Sequence, residues 1–347
     1  MQISIFLDPH FQTLDGLTYS FNGFGEYVLL KIDELKFNSQ VRMMPYINKK
    51  GKVTQGTVMK AIAIKGENMD TIQIEINQSK DLNIYINEQE VKNFNFHEKV
   101  TLMGLEIEYS SETFILQYFC GIRFEIKANK EHEALAIMTS VSDRFNHETR
   151  GLLGKMDHDT SNDFTLPDDT VLKINPQNDK EIFYKFGEQW RTESYHSVFK
   201  YFNGLTHSSY VNKKHNPQFM SDGIVFEDKS LELLAKKICG ENKYCLFDIS
   251  VTGETSIGSM DIEISNEAKK QKNLFKKSSQ ICPPLSNNFD NGFISRSTIE
   301  NGFEYHFSCY DNFCLIGEKK IKCVHKKYDF AKPVCVRCSK LESLLRK

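Results

Sequence analysis

The chain has 347 residues, 40% hydrophobic and 26% charged, with a formal net charge of -2. That length exceeds what one hydrophobic core serves and implies two or three domains, while the absence of a basic excess argues against nucleic-acid binding. No apolar run approaches the roughly 20 residues of a membrane-spanning helix, and Met1 to Phe6 lacks the basic and apolar regions of a secretory leader.

The chain opens with Phe6-Leu7-Asp8-Pro9-His10-Phe11-Gln12-Thr13-Leu14-Asp15-Gly16 and runs on to Tyr19-Ser20-Phe21-Asn22-Gly23-Phe24-Gly25-Glu26-Tyr27. An Asp-Pro bond is chemically weak. The Asp8 side chain can attack its own carbonyl to form a cyclic anhydride, and the Pro9 nitrogen, once protonated, leaves. His10 is placed to orient the carboxyl or supply the proton. The whole stretch resembles the opening of the von Willebrand factor type D domain, in the variant found in transmembrane mucins and sushi-domain-containing surface proteins. The resemblance implies self-cleavage between Asp8 and Pro9. Leu7 stands where that family has Gly.

From Tyr19 to about Ile126 the pattern is that of strands. Ile72, Ile74 and Ile76 alternate with Gln73 and Glu75; Leu105, Ile107 and Tyr109 alternate with Glu106 and Glu108; Ile122, Phe124 and Ile126 alternate with Arg123 and Glu125. Period two with one polar face predicts antiparallel sheet half open to water, and strands at this spacing predict a β-sandwich. Cys120 is expected to be a buried free thiol in a strand. Asn77-Gln78-Ser79 is a glycosylation sequon at Asn77.

Gly151-Leu152-Leu153-Gly154-Lys155-Met156-Asp157-His158-Asp159-Thr160-Ser161-Asn162-Asp163-Phe164 crowds three carboxylates into one loop. Such groups repel by about 1 kcal/mol per close pair at a high effective dielectric, and a hard cation taking six to eight oxygens relieves them. An EF-hand fails here, because Asn162 replaces the turn glycine and Pro167 sits where the exiting helix would begin. The loop resembles the second signature of the type D domain. The resemblance implies a structural Ca2+ held by Asp15, Asp157, Asp159, Asn162 and Asp163, with Lys155 departing from the Asn common at its position. A metal-dependent hydrolase centred on His158 is the alternative; no nucleophile elbow or catalytic triad motif is seen. His147, His158 and His196 read as surface residues.

Beyond Thr192, a helix is predicted near Lys229 to Ile238, capped by Asp228, with Leu231, Leu234 and Ile238 on one face and Gly240 after its end. Phe247 to Val251 reads as a strand, and Glu267 to Lys277 as a lysine-rich solvated linker. Cys239 and Cys245 are expected to form a local disulfide. Six further cysteines crowd the last segment, which means a disulfide framework or zinc ligands; only Cys335-Val336-Arg337-Cys338 has zinc-type spacing, so disulfides are preferred. Residues 281 to 338 resemble a sushi (complement control protein) domain. That resemblance implies Cys282 with Cys323 and Cys309 with Cys335, leaves Cys314 and Cys338 for a third bridge, and asks Tyr328 or Phe330 to fill the site of the family's missing Trp.

The expected architecture is therefore mainly β: a sandwich-like type D domain over 1–192, a small mixed α/β connecting segment over 193–265, a linker over 266–280 and a sushi module over 281–338. The resemblances imply a non-enzymatic adhesion or interaction protein of the cell surface or extracellular space, with extracellular protein partners. A disulfide framework without a leader makes the chain an expected fragment, its signal and membrane anchor lying in further sequence.

Overall fold

The alternating stretches fold as antiparallel strands in the computed structural model, which describes residues 2–5, 10–77, 79–92, 99–110, 112–258, 262, 289–299, 302–324, 327–328 and 331–339. In chain order they are β1 (Gln2–Ile5), β2 (His10–Gln12), β3 (Thr18–Ser20), β4 (Gly25–Ile32), β5 (Phe37–Ile47), β6 (Val53–Lys65), β7 (Ile72–Ile76), β8 (Leu82–Ile86) and β9 (Gln89–Glu90). Then come β10 (Lys99–Leu102), β11 (Leu105–Ser110), β12 (Thr113–Tyr118), β13 (Ile122–Asn129), β14 (Ala134–Val141) and β15 (Thr149–Arg150). One sheet has the order β10-β11-β12-β13-β14-β1-β2-β3, the other β15-β4-β5-β6-β7-β8-β9. Leu105, Ile107, Leu116, Phe124 and Ile126 of the first meet Leu30, Phe37, Val41, Ile62, Ile64 and Ile74 of the second in one continuous core. Each such fully buried side chain contributes roughly 1.5–3 kcal/mol.

The expectation of a polar face open to water fails for the second sheet. Glu26, Gln40, Arg42 and Gln73 all point away from the core, yet all are buried. Residues 191–215 run across that face and cover it. The Gln40 side chain donates to His196 O (2.9 Å) and accepts from Val198 N (2.9 Å), and the Gln73 side chain accepts from Lys200 N at 2.8 Å. Beneath this cover Arg42 Nε donates to Glu26 Oε1 at 3.0 Å, and the other Glu26 oxygen accepts from Ser197 and Tyr201 hydroxyls, each at 2.7 Å. The guanidinium lies against the rings of Tyr210 (3.6 Å) and Phe199 (4.4 Å). Cys120 is buried with a free thiol, as expected, but in the turn between β12 and β13 rather than in a strand; burial pushes its thiol up to about 12.

Helices that follow the sandwich include α1 (Asp179–Lys185), α2 (Lys229–Cys239) and α3 (Lys243–Thr252). Asp228 caps α2 by accepting from Ser230 N at 2.8 Å, and Gly240 follows its last turn. The buried face of α2 is Ala235 and Cys239; Leu231 and Ile238 pack at its edge and Leu234 is exposed. The stretch read as a strand, Phe247 to Val251, is the body of α3. Asn242 caps it by accepting from Tyr244 N and Cys245 N, Gly253 ends it with a left-handed backbone, and the Cys239–Cys245 disulfide ties its first turn to α2. Those local constraints and the burial of Phe247 and Ile249 outweigh the strand preference of its β-branched residues.

The connecting segment docks on the hairpin between β5 and β6. Asn48 Nδ2 donates to Thr252 O at 3.2 Å, Lys49 N donates to Glu254 Oε1 at 2.8 Å, and Ile257 packs with Tyr46, Val58 and Ala134. Next to this contact His132 is buried, with Nδ1 3.1 Å from the Tyr46 hydroxyl. Burial lowers its pKa, and the nearby Glu131 and Glu254 only partly offset that.

The C-terminal module holds β16 (Gly292–Ile299), β17 (Gly302–Cys309), β18 (Phe313–Ile316), β19 (Lys320–Val324), β20 (Lys327–Tyr328) and β21 (Val334–Arg337), in a sheet β16-β17-β19-β20 and a pair β18-β21. Its core is Phe289, Tyr305, Phe307, Ile321 and Cys335, with Tyr328 packed against it. Disulfides join Cys309 to Cys335 and Cys314 to Cys338. Cys282, and with it the pairing to Cys323, lies outside the described residues, as do Phe330 and the 266–280 linker. The module leans on the first sheet: Gln117 Nε2 donates to Ser295 Oγ at 3.2 Å, and the Arg144 guanidinium lies 4.7 Å from the Phe293 ring centroid.

Two outcomes are expected. Arg42→Ala strands the Glu26 carboxylate in the interior and is expected to lower unfolding free energy by about 3–5 kcal/mol in urea titration, whereas Arg42→Met with Glu26→Gln recovers most of the loss. For His132 the unfolded chain binds the proton more readily than the folded one, so its stability contribution is complete above the ordinary value of 6.5 and is lost as pH falls below it. As pH falls from about 7 to about 5, the melting temperature is expected to lose more in wild type than in His132→Gln, the difference being the His132 contribution. His215 and His306, lowered by burial in the same way, act in the same direction, while Asp163, raised to about 7, acts against them.

Candidate metal centre

The acidic loop is built against the second sheet by glycine. At Gly151 φ is +115°, and a Cβ there would sit 2.6 Å from Leu29 O. This close approach lets Leu152 N and Leu153 N donate to Val28 O and Leu29 O, at 3.0 and 3.1 Å, while both leucine side chains enter the core. Leu14 N donates to Leu153 O at 2.8 Å, so the β2–β3 hairpin is pinned to the same loop. At Gly154 φ is +73°, and a Cβ would meet Asp163 Oδ1 at 2.5 Å. The two glycines thus bring Asp15 and Asp163, distant in sequence, to one place.

There the carboxylates bind backbone and each other's neighbours. Asp15 Oδ2 accepts from Asp157 N (2.9 Å) and Asp159 N (3.0 Å). Asp157 Oδ2 accepts from Asn162 Nδ2 at 2.8 Å, with His147 Nδ1 at 3.3 Å and Lys155 Nζ at 3.7 Å. Burial works to raise the Asp157 pKa, but the Asn162 and Asp159 hydrogen bonds and the Lys155 charge override it, leaving it lowered. Asp163 is fully buried; burial first, then the charges of Asp15 and Asp157, push it up to about 7 against a 2.7 Å hydrogen bond from the Thr13 hydroxyl. Asp159 instead turns outward and caps the following turn by accepting from Ser161 N at 3.0 Å.

The arrangement can be tested against a cation. Asp15 Oδ1 and Asn162 Oδ1 are buried with no hydrogen-bond partner among the described residues, and an oxygen-only donor set suits calcium. Among the described residues, however, no three His, Cys, Asp or Glu side chains already converge as ligands. Of the five residues expected from the sequence, four gather here and Asp159 does not join them. Thr13 is the member the ligand list missed, although it belongs to the same Thr-x-Asp-Gly stretch. His158 is exposed in a left-handed turn, and His147 and His196 are exposed as well.

Asp8 and Pro9 lie outside the described residues. His10 is buried, with Nδ1 2.7 Å from Ser20 Oγ and Nε2 3.1 Å from Asp248 Oδ2. No triad motif is legible in the sequence, yet the fold lines up Ser20, His10 and Asp248; Ser20 is only 3% exposed. Asn77 is half-buried at the turn after β7, where its Oδ1 accepts from Asp81 N at 2.9 Å; Gln78 of its sequon is outside the described residues.

Residues 4–170 match the family model for the von Willebrand factor type D domain, and residues 225–260 that for the Mucin-4-like C8-3 domain. Over residues 4–170 the chain is thus similar to a type D domain, and α2 and α3 lie in the stretch that matches the C8-3 model. Among curated proteins it is 28% identical to Sushi domain-containing protein 2 of Homo sapiens, over 92% of this chain and 39% of that protein. It is 23% identical to Protein mesh of Bombyx mori, over 92% of this chain and 21% of that protein, and 25% identical to Mucin-4 of Mus musculus, over 76% and 7%. The chain spans well under half the length of each. No helix among the described residues is long and apolar enough to cross a membrane.

Gly154→Ala is expected to force the loop away from Asp163 and to lower the melting temperature, at a cost of about 1–2 kcal/mol from the left-handed backbone alone. A melting temperature equal to wild type would show that the loop tolerates a Cβ there.

Proposed function

We propose that this chain is the adhesive or interacting part of a cell-surface or extracellular protein, with a calcium ion stiffening its type D domain. The observation that carries the reading is the type D match over residues 4–170, joined in one chain to segments closed by disulfides. Reduced thiols would suit neither an oxidising compartment nor these bridges. The C-terminal module is read as a sushi domain, in keeping with its six cysteines and its relative's printed name. Asn77 is read as a glycan acceptor, and the partners as extracellular proteins rather than nucleic acid.

In the calcium reading Asp15, Asp157, Asn162 and Asp163 hold the ion, which supplies positive charge where three carboxylates crowd. The chain's own part is to keep those oxygens dry and close: Thr13 orients Asp163, and the Asp157 and Asp159 N–H groups orient Asp15. Chelator-treated protein titrated with millimolar calcium is expected to gain several degrees in melting temperature, and Asp157→Ala to lose that gain. An unchanged wild-type melting temperature removes the ion. The adhesive reading is checked separately: beads coated with the chain are expected to cluster or to bind cells, and inert beads at all calcium levels would count against it.

A second reading, self-processing at Asp8–Pro9 into two associated chains, draws support from the way His10 is held between Ser20 and Asp248.

A further inference from the structure

Sheets that pack on one another usually do so through interdigitated apolar side chains. The C-terminal module meets the first sheet of the sandwich through polar ones. Leu105, Ile107, Leu116 and Phe124 point into the sandwich core, so their neighbours turn outward. Glu106, Gln117, Arg123 and Ser140 are successive register partners there, across β11-β12-β13-β14. On the module Tyr305, Phe307 and Ile321 are core, and Ser295, His306 and Lys320 form a second polar row across β16-β17-β19. Gln117 Nε2 donates to Ser295 Oγ at 3.2 Å, and Lys319 pairs with Glu106 while lying 5.6 Å from the Phe119 ring centroid. A cavity of about 30 Å³, lined by Gly121 and Ser142 on one side and Ser295 and Arg296 on the other, lies within the contact. Among the described residues the apolar clusters of sandwich and module are separate.

The charges on each side are also answered within their own side. Glu304 has His306 Nε2 at 2.7 Å, Lys322 Nζ at 3.4 Å and Lys320 Nζ at 3.7 Å. Arg123 holds Glu125 at 2.9 Å, and Lys99 holds Glu108 at 2.9 Å. Separation would therefore strand no buried charge, unlike the loss of Arg42. Around the contact Glu106, Glu108 and Glu125 outnumber Lys99 and Arg123 on the sandwich, while Lys319, Lys320 and Lys322 outnumber Glu304 on the module. Like charges meet too, since Arg123 lies close enough to His306, and Lys99 to Lys320, to disfavour their protonated forms. The sum is an attraction between faces of opposite sign, partly open to solvent, and such attraction is screened by salt.

We propose that the outer face of β11-β12-β13 is a docking surface for the chain's own C-terminal module, closed by a reversible electrostatic clasp centred on Lys319 and Glu106. Docked, the module covers Glu106, Gln117 and Arg123. Released, it uncovers that face, and each part keeps its own core and its own ion pairs. Contacts between domains resist relative motion when they are large and apolar, and this one is neither shared core nor close-packed. The inference concerns the arrangement of the chain and does not depend on the calcium, adhesive or self-processing readings.

The test uses the full chain and a carbodiimide, which joins an amine to a carboxylate only where the two touch. Monomeric product is mapped for the Lys319–Glu106 cross-link, relative to Lys36–Glu67, an exposed pair inside the sandwich. Raising salt from about 0.01 M to about 1 M shortens the screening length from about 30 Å to about 3 Å, and the ratio is expected to fall at least about five-fold. The radius of gyration from small-angle scattering is expected to rise over the same range. Glu106→Lys, which sets two ammonium groups against each other, is expected to be extended already at low salt. Glu106→Lys combined with Lys319→Glu is expected to be compact again and to regain a cross-link between the exchanged residues. Melting curves and the mapped Cys309–Cys335 bridge establish that each variant is folded. A wild-type ratio and radius that salt leaves unchanged overturn the inference, as does a Glu106→Lys chain as compact as wild type. A double variant that stays extended overturns it as well, because release would then follow from damage to the face rather than from charge.

Discussion

The ion pair of Glu26 and Arg42 is the constraint around which the rest of the two-sheet sandwich is arranged. Both groups point out of a sheet whose other face is the hydrophobic core, and both are dry. Burying two charges costs several kcal/mol per ion before any recovery, and the Coulombic gain alone does not guarantee that recovery. The chain meets the cost with hydroxyls from Ser197 and Tyr201 on the anion and aromatic faces from Phe199 and Tyr210 on the cation. Since those four residues lie beyond the 4–170 span of the type D match, that domain's outer sheet is finished by chain from outside the match. Gln40 and Gln73 reinforce the arrangement by binding main chain rather than side chains of the cover.

The acidic loop follows a different logic. Its backbone is settled by hydrogen bonds to β4 and by two left-handed glycines, and its side chains are left under electrostatic strain. Asp163 sits where a negative charge is disfavoured both by burial and by its neighbours, while Asp15 Oδ1 and Asn162 Oδ1 nearby lack donors among the described residues. The backbone is thus settled without a cation, and the proposed ion would answer only the charges. The same hairpin that delivers Thr13 and Asp15 to this loop carries His10 on its first strand, so the two signatures near the chain's start are parts of a single small element.

Much of this could be read from residues alone. Period-two alternation located β7, β11 and β13, and the two glycine-rich signatures located the loop and the hairpin that meet there. What the pattern did not disclose was set by partners remote in sequence. Gln73 looks like a solvent-facing residue because alternation describes one sheet, and nothing local announces that Lys200 will lie across it. Phe247 to Val251 looks like a strand because propensity is local; the Asn242 cap and the bridge to Cys239 decide otherwise. Asp248 carries no local mark at all, being one acid among many until α3 is laid against β2.

The place of β1 has a mechanical consequence. It is an inner strand, paired along its length with β14 from Gln2–Ser140 to Ile5–Ile137, and it touches β2 through Ile5 and Phe11. Were the backbone severed at Asp8, these pairings would still clasp β1 to the larger piece. A tether pulling along the strand would load all of its hydrogen bonds together, whereas a pull across it would open them one after another. The direction of tension would then decide whether the two pieces stay married or part.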